Sequence, residues 1–519
     1  MELVKQKAIM QRIKEKNAAL PSQPLAYVDT YGCQQNESDS EKLRGMLAEM
    51  GYASTTDEYA ADVIVINTCA IRENAENRVY GNIGELIHTK KAKPSQIIVF
   101  CGCMAAMPEV RDKVEQIYRH VDLMFGPNEL WRFPELLDAR MSSPHARKLL
   151  AHMPISNEHL LRHAQSTAEQ APAHTHSNLE QPPAHAHSNL EHPLAHAQST
   201  AEQSRIPPII EGLPMKRDGT IKAWLPIMYG CDNFCSYCIV PYVRGRERSR
   251  KPSDVVSEAR DLVEKGYKDI TLLGQNVNSY GTGLSEETNF ADIIRRINDI
   301  SGEFLIRFMT SHPKDASPEL FKAMAESEKA AKHIHLPFQA GNDRILKLMN
   351  RGYSQEQYLD KLAMARELMP DIVITSDVIV GFPGETDDEF EDTLRLIKKA
   401  RFDAMFTFIY SKRPGTPAAE LQDPATRDEK QSRFDKLLEI QNAISKEKHM
   451  QYIGKTIRVL VDEASGEGSF PVKARTNGGR LVHLPVEMAG SLGSFVNVGI
   501  TDCNSWSLFG AEAEVEPPR

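Results

Sequence analysis

Cys231, Cys235 and Cys238 stand within eight residues of one another, in the stretch Tyr229-Gly-Cys-Asp-Asn-Phe-Cys-Ser-Tyr-Cys-Ile239 that follows the apolar run Ala223 to Met228. Thiolates are soft ligands suited to iron–sulfur clusters, zinc or Cu(I), and three of them hold three irons of a 4Fe-4S cube while the fourth stays open to a reactant. A structural zinc site wants a fourth ligand nearby, usually from a second cysteine or histidine pair, and none follows Cys238. The spacing therefore places a cluster ahead of zinc. A disulfide framework suits secreted chains better than this one.

At 519 residues the chain is too long for one core and is expected to divide into several domains. No apolar run approaches the ~20 residues that span a bilayer, and the N-terminus lacks the apolar centre of a secretory signal. A cytoplasmic protein without membrane contact is expected. In that reducing compartment eight cysteines read as ligands or reactive thiols. The net charge of -9 excludes a generally basic nucleic-acid binder, so any RNA contact must come from local patches.

Residues 1–23 are charged and helix-like and read as an extension. From Pro24 to residue 140, short apolar runs alternate with helical stretches, the pattern of an open parallel α/β sheet. Leu25 to Asp29 leads into Cys33, Asp62 to Ile66 into Cys69, and Ile97 to Phe100 into Cys101-Gly-Cys103. The carboxyl ends of parallel strands converge on one crevice, so cysteines from three strands meet there. Taken singly each is better read as a small core residue; three at equivalent strand ends form a second thiol trio. Asn36, Ser40 and Glu41 read as the start of a helix.

Residues 141–206 repeat HAQSTAEQ and HSNLE and hold ten of the 17 histidines. So few large apolar residues cannot offset ordering entropy, and a solvated low-complexity linker is expected. From 207 to 450 the alternation resumes, with strands at the Ile227 region, Ile270 to Leu273, Leu305 to Thr310, His333 to Leu336, Ile372 to Val380 and Ala404 to Tyr410. Six such strands predict a partial (βα)6 barrel with Cys231, Gln275-Asn276, Ser311-His312, Gln339 and Gly381 in loops at the strand carboxyl ends. Five short strands over 452–515 predict a small β-barrel. Its Lys455, Arg458, Lys473, Arg475 and Arg480 are candidate phosphate contacts. Arg244, Arg246, Arg248, Arg250 and Lys251 form the densest basic run, either a solvated loop or a site for a cofactor carboxylate or RNA phosphate.

Cys231, Cys235 and Cys238 match the three-cysteine signature of the radical S-adenosylmethionine superfamily. Gly230 to Arg250, GCDNFCSYCIVPYVRGRERSR, resembles the methylthiotransferase family, and LLGQNVNSYG at Leu272 to Gly281 is similar to the branch that acts on isopentenylated adenosine in tRNA. Arg307-Phe-Met-Thr-Ser-His-Pro313 favours that branch by likeness alone. TYGCQQNESDSEKL, NTCAIRENAENRVYGNIGEL and CGCMA resemble that family's N-terminal motifs, and the last domain resembles the RNA-binding TRAM module.

The resemblance implies two 4Fe-4S clusters, one on Cys231, Cys235 and Cys238 and one on Cys33, Cys69 and Cys103, with Cys101 as an alternative to Cys103. It further implies S-adenosylmethionine held by Tyr237, Gln275, Asn276, Gly381 and Pro383. The chemistry is carried by the cofactors, and no catalytic side chain is singled out. The implied reaction is radical attack at carbon 2 of isopentenyl-adenosine next to the anticodon, with sulfur insertion and methylation. A tRNA substrate, an external electron donor and a monomeric enzyme are expected. The alternatives are the same chemistry on threonylcarbamoyl-adenosine or a ribosomal-protein aspartate, and a non-catalytic zinc-bearing RNA-binding protein.

Overall fold

Valine, isoleucine and leucine runs too short for helices, each closed by a turn, set out the strands of three domains in the computed structural model, which describes residues 2–70, 73–142, 149–151, 208–464 and 468–513. The first domain is one six-stranded sheet of β1 (Leu25–Tyr31), β2 (Ala53–Ser54), β3 (Val63–Thr68), β4 (Ile97–Gly102), β5 (Leu123–Phe125) and β6 (Leu149–Ala151). Its order is β2-β1-β3-β4-β5-β6 and every pair is parallel. All six residues of β3 are buried, because helices cover both faces.

Two features differ from the sequence reading. The N-terminal helix Glu2–Ala18 belongs to the domain: Ile9, Met10 and Ile13 pack into the core of Leu43, Val63 and Val99, and Lys5 and Lys16 pair with Glu135 and Asp138. Three apolar residues among many charges hid that face. The strand β6 lies inside the segment read as linker; most of that segment falls outside the described residues.

The central domain contributes β7 (Lys222–Pro226), β10 (Asp269–Leu273), β11 (Leu305–Phe308), β12 (His333–His335), β13 (Val373–Val380) and β14 (Ala404–Ile409). Between the first two, β8 (Met228–Tyr229) and β9 (Arg248–Ser249) form a small antiparallel ribbon that brackets the cysteine loop. The parallel sheets β7-β10-β11 and β12-β13-β14 are joined by a bridge from Ile306 to Ala330, giving six strands of an open barrel. One face of each strand packs against the helices: Leu225, Ile270, Ile306, Ile334, Val378 and Met405 share one core. The alternate residues face the lumen, since side chains alternate along a strand.

The last domain is a closed barrel of β15 (Thr456–Ala464), β16 (Val472–Thr476), β17 (Leu481–Leu484), β18 (Phe495–Cys503) and β19 (Leu508–Glu512), in the order β15-β16-β17-β19-β18. Its β16–β17 turn docks against the amino ends of the central strands. Arg307 donates to the carbonyls of Thr476 and Asn477 at 3.0 and 2.8 Å while holding Asp269 at 2.8 Å. A side chain at Gly478 would come 2.3 Å from Val373 Cγ2, so only glycine admits the approach. Among the described residues no helix is long and apolar enough to cross a membrane.

Arg480, read from sequence as a phosphate contact, is instead buried at this interface and pairs with Asp403 at 2.5 Å, which Lys448 also reaches at 3.0 Å. Burial raises the Asp403 pKa, but Arg480, Lys448 and the Ile374 N–H outweigh it and hold the carboxyl below its ordinary value. A depressed carboxylate adds stability above its unfolded pKa and loses it as pH falls through the folded value. Arg480→Ala should therefore cost about 3 kcal/mol in chemical denaturation, the penalty of stranding a buried charge. The wild-type advantage should fade only below about pH 4; an advantage that persists there would contradict the assignment.

Candidate active site

The loop after β8 is pinned from several sides. Gly230 adopts φ 79°, and a Cβ there would lie 2.1 Å from the Arg246 carbonyl oxygen, where the loop crosses its own return. Gly230 N–H donates to Gln275 Oε1 at 2.5 Å and Cys231 N–H to the Gly245 carbonyl at 3.2 Å. Ser236 donates from its N–H and hydroxyl to the Met349 and Leu348 carbonyls, at 3.0 and 2.8 Å, and accepts from Ala418 N–H at 2.8 Å. Cys238 N–H closes on the Cys235 carbonyl at 2.9 Å. These bonds hold three thiols on one short turn.

Buried Arg351 donates to Cys235 Sγ at 3.3 Å, to Tyr237 OH at 3.4 Å and to the Pro337 carbonyl at 2.8 Å. His312 Nε2 lies 3.9 Å from the same sulfur, and burial followed by the Arg351 and Lys314 charges lowers its pKa to about 2, which keeps the ring neutral. Burial pushes the Cys231 thiol up to about 12 and raises Cys238 as well, with neighbouring thiolates adding to both. Such thiols ionise together only around a cation, and metal coordination deprotonates a thiol outright. Among the described residues no three such side chains are gathered tightly enough for a single metal ion, and the chemistry of the three thiols is that of an iron–sulfur cluster.

The loops at the strand carboxyl ends carry buried oxygens without a protein partner: Asn276 Oδ1, Ser311 Oγ, Gln339 Oε1 and the Tyr410 hydroxyl. Buried polar atoms are normally paired, so this group calls for a polar ligand. Of the residues proposed from sequence, Asn276 offers such an atom, its amide already donating to Asp315 at 2.7 Å, and Tyr237 lies in the cysteine loop. Gln275 is used to hold Gly230. Gly381 gives its N–H to Glu385 Oε2 at 2.8 Å, and Pro383 lies in the same turn. Ser311 and Gln339 were placed by strand counting alone, whereas Arg351 was missed, since an arginine after a short helix carries no local pattern.

The second trio lies at the carboxyl ends of β1, β3 and β4. The Cys69 side chain hydrogen-bonds Cys33, the largest influence in lowering the Cys33 thiol to about 6 against burial, with the Arg244 charge assisting. Cys103 is raised by burial, opposed by the nearby Arg244 and raised further by Cys33. Cys101 points elsewhere, into the core of Val65, Val99 and Phe125, and burial lifts its thiol well above the usual range. Of the two, Cys103 is the one whose charge interacts with Cys33 and Arg244. Asn36 and Ser40 do not cap the helix Gln34–Glu49: Asn36 Nδ2 donates to the Thr68 carbonyl at 3.0 Å, and Asn67 Nδ2 donates to Ser40 Oγ at 2.9 Å. They tie the Cys33 and Cys69 loops together.

The basic run divides, with Arg244 and Arg250 buried, Arg248 half-buried, and Arg246 and Lys251 exposed. Arg244 is buried and reaches Asp39 at 3.0 Å beside the second trio. Arg248 binds Asn128 at 3.1 Å, and Arg250 forks onto Glu211 at 2.7 Å and reaches Glu258 at 2.8 Å. Exposed Arg246 pairs with Asp232 at 2.9 Å, and Lys251 sits at a helix start. The helix Val240–Arg244, with Ile239 and Val243 in the core around Cys103 and Met104, thus begins at one trio and ends at the other. The four steps of the helix from Val240 to Arg244 span about 6 Å at ~1.5 Å per residue. In the last domain, Lys473 and Arg475 pair with Glu463 and Asp462 at 2.6 and 3.1 Å, Arg458 pairs with Glu303, and Lys455 lies over the Tyr452 ring.

Residues 225–397 match the Radical SAM superfamily, residues 25–126 the uncharacterized protein family UPF0004, and residues 450–511 the TRAM domain. The superfamily's chemistry uses S-adenosylmethionine and a 4Fe-4S cluster, which the thiol loop and the unpartnered oxygens accommodate. Over 514 residues the chain is 44% identical to a tRNA-2-methylthio-N(6)-dimethylallyladenosine synthase of Acetivibrio thermocellus, covering 98% of this chain and 96% of that one. A protein of the same name from Thermoanaerobacter sp. is 42% identical over 514 residues, with 99% and 98% covered, and one from Clostridium novyi is 43% identical over 484 residues, with 93% and 95% covered. The chain belongs to the family of tRNA-2-methylthio-N(6)-dimethylallyladenosine synthases.

Arg244→Ala should strand Asp39 between the domains and cost about 3 kcal/mol of stability. Thermal unfolding under anaerobic conditions should show the two domains melting apart; a single transition at the wild-type temperature would contradict the role given to this pair.

Proposed function

We propose that this chain converts N6-dimethylallyladenosine in tRNA to its 2-methylthio derivative, replacing the hydrogen on adenine carbon 2 with a methylthio group. The observation that carries this reading is the full-length likeness to synthases of that name, supported by the short helix Val240–Arg244 that runs from the central cysteine loop to an arginine whose charge faces Cys103 and Cys33. When bound, the clusters and S-adenosylmethionine supply the radical that opens the C–H bond and the sulfur and methyl groups that take its place.

The protein's part is to hold and to orient. Cys231, Cys235 and Cys238 carry the cluster that meets S-adenosylmethionine, while Arg351 places its charge on Cys235 and its hydrogen bond on Tyr237. Tyr237, Asn276, Ser311 and Gln339 line the place for the nucleoside and methionine parts of the cofactor, with Gly381 and Pro383 shaping the wall and Gln275 fixing the loop. Cys33, Cys69 and Cys103 carry a second 4Fe-4S cluster, and the Arg244 charge offsets the negative charge of its thiolates. The C-terminal barrel contributes RNA contacts through its outer face, Lys455 among them, since Arg480 is spent on docking. The enzyme takes electrons from an external donor and acts as a monomer.

Anaerobically reconstituted wild type should hold about eight irons per chain, two cubes of four. Cys231→Ala should keep about half of them and form no deoxyadenosine. Cys33→Ala or Cys103→Ala should also lose about half, continue to form deoxyadenosine, and give no methylthio nucleoside by mass spectrometry of the digested tRNA. Deoxyadenosine from Cys231→Ala, or methylthio product from the other two, would overturn these assignments.

A further inference from the structure

The lumen face of the last two central strands contains an anomaly. Ile374, Ser376, Val378 and Val380 are buried on the helix side of β13, so Thr375, Asp377 and Ile379 face the lumen. In the parallel register Asp377 stands beside Phe406 and Ile379 beside Phe408, which puts both phenylalanines on that same face. They are 54% and 41% exposed, whereas the domain buries Phe290, Phe308, Phe338, Phe382, Phe390 and Phe402. The same lumen carries charge: Asp269 and Arg307 pair across β10 and β11, and His335 lies 3.3 Å from Asp377. Two open aromatic rings on an inward face lined with charge leave apolar surface for something else to cover.

We propose that Phe406 and Phe408 form the subsite for the branched five-carbon substituent on N6 of the substrate adenine; this rests on the activity proposed above. Two observations choose that occupant. The aromatic face is continuous with the reactive end of the barrel: Ile379 and Tyr410 pack in one cluster with Tyr237 of the cysteine loop, and the His335 ring meets Phe406 edge-on at 5.9 Å. A group seated there is an extension of whatever sits before the cysteine loop. Charge settles the character of that group. The Asp377 carboxylate beside Phe406 repels a substituent that carries its own carboxylate, as threonylcarbamoyl does, and tolerates an uncharged hydrocarbon. The aromatic pair thus selects for the prenyl group by apolar contact and the aspartate selects against the acidic alternative.

The test uses anticodon stem-loop RNAs carrying dimethylallyladenosine, threonylcarbamoyladenosine or unmodified adenosine, bound to reconstituted holoenzyme. The Phe406→Ala/Phe408→Ala double variant should retain the wild-type iron and sulfide content. Its preference for prenylated over unmodified RNA should fall by at least about tenfold, the scale on which an apolar pocket discriminates. Phe406→Leu/Phe408→Leu should recover most of the preference, and Asp377→Asn should raise binding of the threonylcarbamoyl RNA. An undiminished preference in the double alanine variant, or its failure to return with leucine, would overturn the subsite. Wild type that methylthiolates the threonylcarbamoyl RNA and leaves the prenylated RNA untouched would instead overturn the proposed activity.

Discussion

The arrangement depends on one buried contact, the Arg244 guanidinium against Asp39, made at the end of a helix that starts two residues after the third cysteine of the central loop. An ion pair that far from water is costly unless both charges are satisfied. Here the cation also faces Cys103 and Cys33, whose thiolates add to its stabilisation. The pair therefore locks two domains together beside the second trio, and it ties the two thiol sites through a few helical residues and no flexible linker. Rigid placement matters because a radical formed at one site must reach an atom that also lies within reach of the other.

The opposite end of the central barrel is closed by different means. The β16–β17 turn of the C-terminal barrel enters against the strand amino ends, held by Arg307, Arg480 and the close approach at Gly478. The lumen is thus stoppered at the amino ends and furnished with thiols, unpartnered oxygens and Tyr237 at the carboxyl ends. What remains open is the side of the edge strand β14, where the exposed phenylalanines stand.

The positions of both cysteine groups in the fold were legible in the sequence, for different reasons. Cys231, Cys235 and Cys238 are local, and their spacing puts them on one short loop. Cys33, Cys69 and Cys103 are separated by dozens of residues, yet each follows an apolar run, and the rule that parallel strands end together made them neighbours. The barrel strands followed from their apolar runs to within a few residues. The arginines were opaque: Arg244 and Asp39 are 205 residues apart, and a charge run looks the same whether its partners are solvent, phosphate or a buried carboxylate. Arg307 lies in a stretch that resembles a substrate-specific motif, and its side chain holds a neighbouring domain. The lumen phenylalanines escaped notice because aromatic residues in a strand read as core until the register shows which face they occupy.

The central claim is that the two trios hold clusters close enough to act on one substrate. Electron paramagnetic resonance of the dithionite-reduced holoenzyme tests it directly, with Cys231→Ala and Cys33→Ala supplying the spectra of each cluster alone. Magnetic coupling is predicted, so that the wild-type spectrum is broadened and split relative to the sum of the two. A wild-type spectrum equal to that sum, with both clusters reduced, would contradict the account.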